Sequence, residues 1–240
     1  MTIAVLLAGG RGTRLAPFTD DCPKPLLPMH GEPMIAQPLR RLAAAGIRDI
    51  VISTGYLAGQ FPATLGDGST YGVRLSYTVE EVPRGTGGAL AELKATDHPV
   101  LVLNADEHGS HDLVTQLAVT AERAWDGSLH VRTVPDRRAF GAVEVGHGDA
   151  VISFVEKPVA GGPGLANAGC YVFNPTAVQR IRGYIRQARD ADPSGWSLSL
   201  ERDVLPRLIS EGTRLLAVVD ESPGVDLGAI EAYRAAGGDL

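Results

Sequence analysis

The stretch Ile3-Ala4-Val5-Leu6-Leu7-Ala8-Gly9-Gly10-Arg11-Gly12-Thr13-Arg14-Leu15, with Pro23-Lys24-Pro25-Leu26-Leu27-Pro28 close behind it, decides how this chain folds. The apolar run predicts a buried strand that empties into a glycine-rich, doubly basic loop. Glycines let backbone N–H groups turn sharply and come close to an anion. Arg11 and Arg14 add guanidinium groups that grip phosphate oxygens as a fork. Spacing excludes two common phosphate loops. A Walker A loop needs Lys-Ser/Thr after its last glycine, and Thr13 follows Gly12 here. The dinucleotide fingerprint starts at Gly10 and Gly12 but meets Leu15 at the third glycine position. A plain strand-to-helix turn with two solvated arginines is the alternative, and the density of glycine and arginine speaks against it.

Gly-Gly-x-Gly-Thr-Arg-Leu followed by Pro-Lys-Pro-x-x-Pro resembles the sugar-1-phosphate nucleotidylyltransferases, which include mannose-1-phosphate guanylyltransferases and glucose-1-phosphate thymidylyl-, uridylyl- and cytidylyltransferases. The resemblance runs from the first residue to the region of Ala236. It implies a Rossmann-like α/β fold of the nucleotide-diphospho-sugar transferase type. It also implies that Leu7, Ala8, Gly9, Gly10, Gly12, Thr13 and Arg14 hold the nucleotide with its triphosphate on the loop, and that Lys24 contacts phosphate as well.

Composition agrees. The 240 residues suffice for one large domain, and 44% hydrophobic and 21% charged content are ordinary globular values. A net charge of −6 argues against a general nucleic-acid binder, though not against binding one nucleotide. Met1-Thr2 runs straight into the first strand, so no signal peptide is expected, and no apolar run approaches the roughly 18 residues of a membrane span. Cys22 and Cys170 form no C-x-x-C pair, which predicts a reduced, cytoplasmic protein. Cys22 reads as a small filler residue rather than a catalytic thiol. Lysine occurs only at 24, 94 and 157, and two of these stand in Lys-Pro pairs.

Apolar strands alternate with helical patterns through the first half: strands at Ile3–Leu7, Asp49–Ser53, Val73–Val79 and Val100–Leu103, helices at Met34–Ala45, Leu57–Leu65, Thr86–Lys94 and His111–Ala124. This βαβα order predicts a mixed, mostly parallel sheet flanked by helices. After Gly127 come strands at Leu129–Val134, Ala142–Val145, Val151–Val155 and Leu165–Phe173, a helix over Leu198–Ser210, a strand at Arg214–Val219 and a last helix over Ala229–Ala236. The expectation is a single domain with a nucleotide half (1–126) and a sugar-phosphate half (127–240). The C-terminal left-handed β-helix of some relatives is not expected.

Asn104-Ala105-Asp106 follows the buried strand Val100–Leu103, where ligands of open α/β sheets gather. A carboxylate there suits Mg²⁺, which takes a few hard oxygens from protein and the rest from phosphates and water. Capping the helix after residue 110 is the alternative, a task Ser110 or His111 could serve. The family usually has Gly-Asp here, so Ala105 is a small departure. Asn104 is assigned to the sugar-phosphate side. Val225-Asp226-Leu227-Gly228 resembles the family's Asp-Ile-Gly-Thr-Pro element, which makes Asp226 the second metal ligand or else a turn residue. Gly224 and Ala229-Ile230 replace the family's usual neighbours.

Glu80-Glu81-Val82-Pro83-Arg84-Gly85-Thr86-Gly87-Gly88 is a second glycine-rich turn that can read a base edge. The resemblance lays Gly85, Thr86, Gly87 and Gly88 against the base, with Glu81 accepting from it. A carboxylate suits the paired N1–H and N2–H donors of guanine, which modestly favours GTP. Glu156-Lys157-Pro158 resembles the family's Glu-Lys-Pro motif. It implies that Glu156 accepts from sugar hydroxyls and Lys157 holds the sugar phosphate, supported by Gly141, Asn167 and Gly169. Glu201 is either a sugar-side contact or a helix-surface acid. The six histidines lack metal spacing and are expected in solvated loops.

The expected reaction is Mg²⁺-dependent nucleotidylyl transfer: an NTP and a sugar 1-phosphate give an NDP-sugar and pyrophosphate. Arg14, Lys24, Asp106 and Lys157 are the expected catalytic residues. A cyclitol or other non-sugar phosphate as acceptor, and a noncatalytic nucleotide-sugar-binding subunit, are the rival readings. The expected partners are the two small substrates, not nucleic acid or a membrane, and a homo-oligomer is compatible with the sequence.

Overall fold

In the computed structural model, residues 2–93, 96–109, 111–122, 125–220, 227 and 230–239 are described. The elements in chain order are β1 (Ile3–Leu7), β2 (Pro28–Met29), β3 (Glu32–Pro33), α1 (Ala36–Ala44), β4 (Asp49–Thr54), α2 (Gln60–Leu65), β5 (Arg74–Val79), α3 (Gly85–Gly88), β6 (Val100–Asn104), α4 (Leu113–Glu122), β7 (Gly127–Val134), β8 (Gly141–Val145), β9 (Val151–Glu156), β10 (Gly164–Phe173), α5 (Pro175–Ala191), α6 (Leu205–Ser210), β11 (Leu215–Val219) and α7 (Ile230–Ala235). Contacts sort the chain into two units that interleave in sequence: Met1–Val82, Val102–Leu113 and Pro223–Leu240 form the first, Pro83–Leu101 and Val114–Ser222 the second.

In the first unit β1 pairs with β4 and β4 with β5, all parallel, with Val5 opposite Val51 and Ile52 opposite Tyr77. Ala4, Val5 and Leu6 are completely buried, as a parallel strand covered on both faces requires. A second apolar cluster, Leu15, Leu27, Met29, Met34, Leu227 and Tyr233, packs the segment after the glycine–arginine loop against the chain's last helical region. In the second unit β7 pairs antiparallel with β10, β10 with β8 and β8 with β9, while β11 lies parallel to β7. The α/β class with a mixed sheet is therefore as expected. Among the described residues no helix is long and apolar enough to cross a membrane.

Three helical regions differ from expectation. The helix predicted over Thr86–Lys94 shrinks to Gly85–Gly88. Three glycines carry little helix propensity, and the Leu198 carbonyl takes the N–H groups of Gly87 at 2.8 Å and Gly88 at 3.2 Å. The helix predicted over Leu198–Ser210 starts at a Ser199 cap with a π-helical turn, Leu200–Val204, before α6. Pro206 has no N–H to give the Arg202 carbonyl, so the regular ladder cannot run through this point.

The longest helix, α5, is missing from the predicted elements although its signals are present. Asn174 is an N-cap whose Oδ1 accepts from Ala177 N at 2.9 Å, Pro175 opens the first turn, and Val178, Ile181 and Ile185 fall on one buried face. The Asn174 amide also donates to the Trp125 carbonyl at 3.2 Å, which pins the start of α5 beside β7. Asn174→Ala removes the cap and that tie together. It is expected to lower stability by about 1–2 kcal/mol in urea unfolding; a loss within error of zero would contradict the capping role.

Candidate active site

The glycine–arginine loop takes its shape from a buried lysine. The Ala8 N–H still follows the sheet, donating to the Ser53 carbonyl at 2.8 Å. Gly9, Gly10, Arg11, Thr13 and Arg14 are then exposed. Gly12 starts a short 3₁₀ turn, Thr13–Leu15, with φ +64°, and a Cβ on it would stand 2.8 Å from Lys24 Cβ. Only glycine meets both conditions, so the loop rests directly on the lysine stem. The Thr19 hydroxyl closes the turn by donating to the Gly12 carbonyl at 3.1 Å. The Arg11 guanidinium lies 4.7 Å over the ring of Tyr56, a cation–π contact on the same loop.

Lys24 opens a second 3₁₀ turn, Lys24–Leu26, between Pro23 and Pro25. Its side chain is only 9% exposed, and its Nζ is paired with Asp106 Oδ2. Burying an ammonium is costly unless a counter-charge meets it, and Asp106 supplies that charge. Asp106 keeps 37% of its side chain exposed. No hydrogen bond among the described residues engages its Oδ1. A hard anionic oxygen, open to solvent just past the end of β6, fits a Mg²⁺ ligand. The segment is held in register by Ala105 N–H, which donates to the Leu7 carbonyl at 3.1 Å, and by Glu107 N–H, which donates to the Asn104 carbonyl at 3.0 Å.

A support that the motifs did not announce lies beside Asp106. Arg41, near the end of α1, reaches Glu107 Oε2 at 2.5 Å, His111 Nδ1 at 3.0 Å and the His111 carbonyl at 3.3 Å. The side chains of Arg41 and Glu107 are 16% and 9% exposed, so this pair clamps the turn after β6 from below. The only advance signal is an acid directly after Asp106; its partner is too far along the chain to be foreseen. Of the histidines, His30, His98 and His147 are exposed as expected, and the others differ. His111 and His130 are buried. Burial pushes the His108 imidazole below its usual range, against the pull of its Met34 backbone bond and of Asp106 and with the push of Arg41 and Lys24. Cys22 packs against the apolar cluster, and burial raises its thiol pKa, which fits a filler residue.

The second unit holds Gly85, Thr86, Gly87, Gly141, Glu156, Lys157, Asn167 and Gly169, while Asn104 lies in the first. Gly141 faces Glu156 in the β8–β9 register. Lys157 has φ +50°, a conformation that side chains other than glycine adopt at a cost of about 1–2 kcal/mol. Its N–H is tied to the Phe140 carbonyl at 2.9 Å, while its ammonium stays largely exposed, 3.9 Å from Glu156 Oε1. Burial raises the Glu156 pKa, the Glu201 carboxylate raises it further, and Lys157 and Arg202 lower it. Asn167 and Gly169 belong to one turn of β10, where Gly169 N–H donates to Asn167 Oδ1 at 3.2 Å. Gly85, with φ +77°, packs under the Leu198 carbonyl, which a Cβ would approach to 2.6 Å. The Thr86 hydroxyl is engaged with Glu201. Glu81 is exposed in the first unit. Asp226 lies outside the described residues.

The family model described as nucleotidyl transferase matches residues 3–240. The chain belongs to the nucleotidyl transferase family. It is 38% identical over 240 residues to the mannose-1-phosphate guanylyltransferase of Mycobacterium tuberculosis, a match covering 99% of this chain and 64% of that one. It is 34% identical over 216 residues to the mannose-1-phosphate guanyltransferase of Aspergillus fumigatus, covering 87% and 56%. The chain thus spans less than two thirds of the length of these relatives. Among solved structures, HddC from Yersinia pseudotuberculosis complexed with GMP-PN superposes with a TM-score of 0.76 at 26% identity, covering 98% of both chains. A Bacillus anthracis protein described as a candidate glucose-1-phosphate thymidylyltransferase superposes with a TM-score of 0.85 at 24% identity, over 99% of this chain and 94% of that one, and so shares the fold.

Because the Glu156 pKa is raised in the folded chain, the folded state holds the proton more tightly than the unfolded state. Stability from this group is fully present below the unfolded carboxylate pKa and is lost as pH rises through the folded value. Glu156→Gln, which cannot ionise, is expected to melt higher than the parent at pH 7. That gain should vanish as the pH is lowered below the ordinary carboxylate range. A thermal-shift series in which the gain is absent or grows on acidification would contradict the environment described for Glu156.

Proposed function

We propose that this chain catalyses nucleotidylyl transfer from an NTP to a sugar 1-phosphate, with GTP and mannose 1-phosphate as the first pair to test. The observation that carries the reading is the buried Lys24 ammonium, set under an anion-binding loop and paired with an accessible carboxylate. The choice of pair is supported by relatives named mannose-1-phosphate guanylyltransferase. The exposed Glu81 carboxylate adds to this, since it can accept from the two donors of a guanine edge.

The acceptor phosphate is already an anion, so no general base is needed. Its oxygen forms a bond to the α-phosphorus of the NTP while the bond from that phosphorus to the bridging oxygen breaks, and pyrophosphate leaves with the electron pair. The obstacle is repulsion between anions, so catalysis is alignment and charge neutralisation. Backbone N–H groups of Gly9–Thr13 and the Arg14 guanidinium take the triphosphate. Phosphate oxygens offer Lys24 an alternative to Asp106, which frees the carboxylate as the ammonium turns to the α-phosphate and departing group. Asp106, with Asp226 as second candidate, would hold Mg²⁺, which supplies further positive charge to the phosphates when bound. Lys157 holds the acceptor phosphate, and Glu156, Asn167 and Asn104 are assigned to the sugar side. Of the rival readings, a noncatalytic subunit has no need of Lys24, Asp106 and Lys157 together.

Pyrophosphate release across five NTPs and a panel of 1-phosphates tests the reading and ranks the substrates. Asp106→Ala is expected to lower kcat at least about 10²-fold with the fold intact by circular dichroism; near-parental turnover would overturn the assignment. Lys157→Ala is expected to raise KM for the sugar 1-phosphate about 10-fold or more with the NTP KM little changed. A rise confined to the NTP would exchange the roles of the two lysines.

A further inference from the structure

Glu201 is neither a surface acid nor a free sugar ligand, because its carboxylate is where three hydroxyls converge. Oε2 accepts from Thr86 Oγ1 at 2.6 Å and from Ser199 Oγ at 2.9 Å, and Oε1 accepts from the Tyr171 phenol at 3.1 Å. The direction of each bond is forced. Thr86 Oγ1 accepts from Leu200 N–H at 2.8 Å and gives its single proton to the carboxylate, which only accepts. Ser199 Oγ accepts from the N–H groups of Glu201 at 3.2 Å and Arg202 at 3.1 Å, which commits its proton as well. The fully buried Tyr171 hydroxyl accepts from Asn167 Nδ2 at 2.7 Å and gives its own proton to Glu201. Burial and Glu201 hold the Tyr171 pKa well above its usual value, so that proton stays in place.

The consequence reaches Asn167. With Nδ2 donating to Tyr171 and Oδ1 accepting from Gly169 N–H at 3.2 Å, the amide cannot flip without breaking both bonds. It retains one N–H and one lone pair in a known sense for a polyol hydroxyl. On the other side, Thr86 stands in the glycine turn whose backbone is held on the Leu198 carbonyl. Glu201 sits in the π-helical turn that precedes Pro206, and such turns recur at functional positions.

We propose that Glu201 is a positioning residue that orients the Gly85–Gly88 turn through Thr86 and the Asn167 amide through Tyr171, and thereby links nucleotide recognition to sugar recognition. This rests on the roles assigned to Thr86 and Asn167 under the proposed function. A carboxylate is required because every neighbour is a donor. In Glu201→Gln one of the two oxygens becomes an NH₂ group facing a hydroxyl whose proton points at it. Either the Thr86 branch or the Tyr171 branch must then reverse.

The branches can be separated. Tyr171→Phe cuts only the Asn167 branch and Thr86→Ala only the glycine-turn branch. Turnover of the parent with the panel of substrates reports on the proposed function, whereas variant-to-parent ratios report on Glu201. Tyr171→Phe is expected to raise the sugar-phosphate KM about fivefold or more with the NTP KM unchanged, Thr86→Ala to do the reverse, and Glu201→Gln to raise both. Side-chain amide NMR of Asn167, read without any substrate, is expected to shift in Tyr171→Phe and Glu201→Gln but not in Thr86→Ala. It gives a result even if the parent has no turnover, and if Glu201→Gln does not fold, the other two variants carry the test. An Asn167 signal indifferent to Tyr171→Phe, or single-branch variants that move both KM values equally, would overturn the proposal.

Discussion

The ion pair between Lys24 and Asp106 is the constraint around which the first unit is arranged. An ammonium buried this deeply needs both a counter-charge and a stem fixed in place. The stem is fixed by a 3₁₀ turn bracketed by prolines and by Gly12, which lies against Lys24 Cβ in a conformation open to glycine. The counter-charge is fixed by the end of β6, whose turn is clamped from α1 through Arg41 and Glu107. Loop, lysine and carboxylate therefore form one device. Its electrostatic partner in the resting chain is internal, and its exposed side is a carboxylate oxygen and a row of loop N–H groups.

The second unit solves a different problem. The polar residues around Glu201 are held in a defined sense rather than set to neutralise a large charge. The structure achieves this by making every proton around Glu201 directional, so that Tyr171 and Asn167 have one consistent arrangement. Strain is accepted where presentation demands it: Lys157 holds a left-handed backbone between Glu156 and Pro158, which leaves its ammonium exposed beside a half-buried acid.

Much of this was legible in the sequence because it is local. The strand β1, the glycine–arginine loop and the two Lys-Pro motifs are contiguous runs whose chemistry follows from residue type. What escaped reading depends on partners distant along the chain. Arg41 gives no hint of Glu107, nor Glu201 of Thr86 and Tyr171, because each pairing is made only by folding. The helix at Gly85–Gly88 is shorter than the apolar pattern predicts because three glycines carry little helix propensity. A π-turn over Leu200–Val204 and a short α6 with Pro206 in its first turn stand where the apolar periodicity predicts one continuous helix. In α5 the cap and apolar spacing were present, yet a polar stretch rich in arginine masked them.

The account rests on the Lys24–Asp106 pair receiving nucleotide phosphate together with a divalent cation. Isothermal titration of a non-hydrolysable GTP analogue, with and without Mg²⁺, into the parent and Asp106→Asn measures this directly. Mg²⁺ is expected to tighten binding to the parent about 10-fold or more and to give little or no gain in Asp106→Asn. An equal Mg²⁺-dependent gain in both proteins would contradict the account.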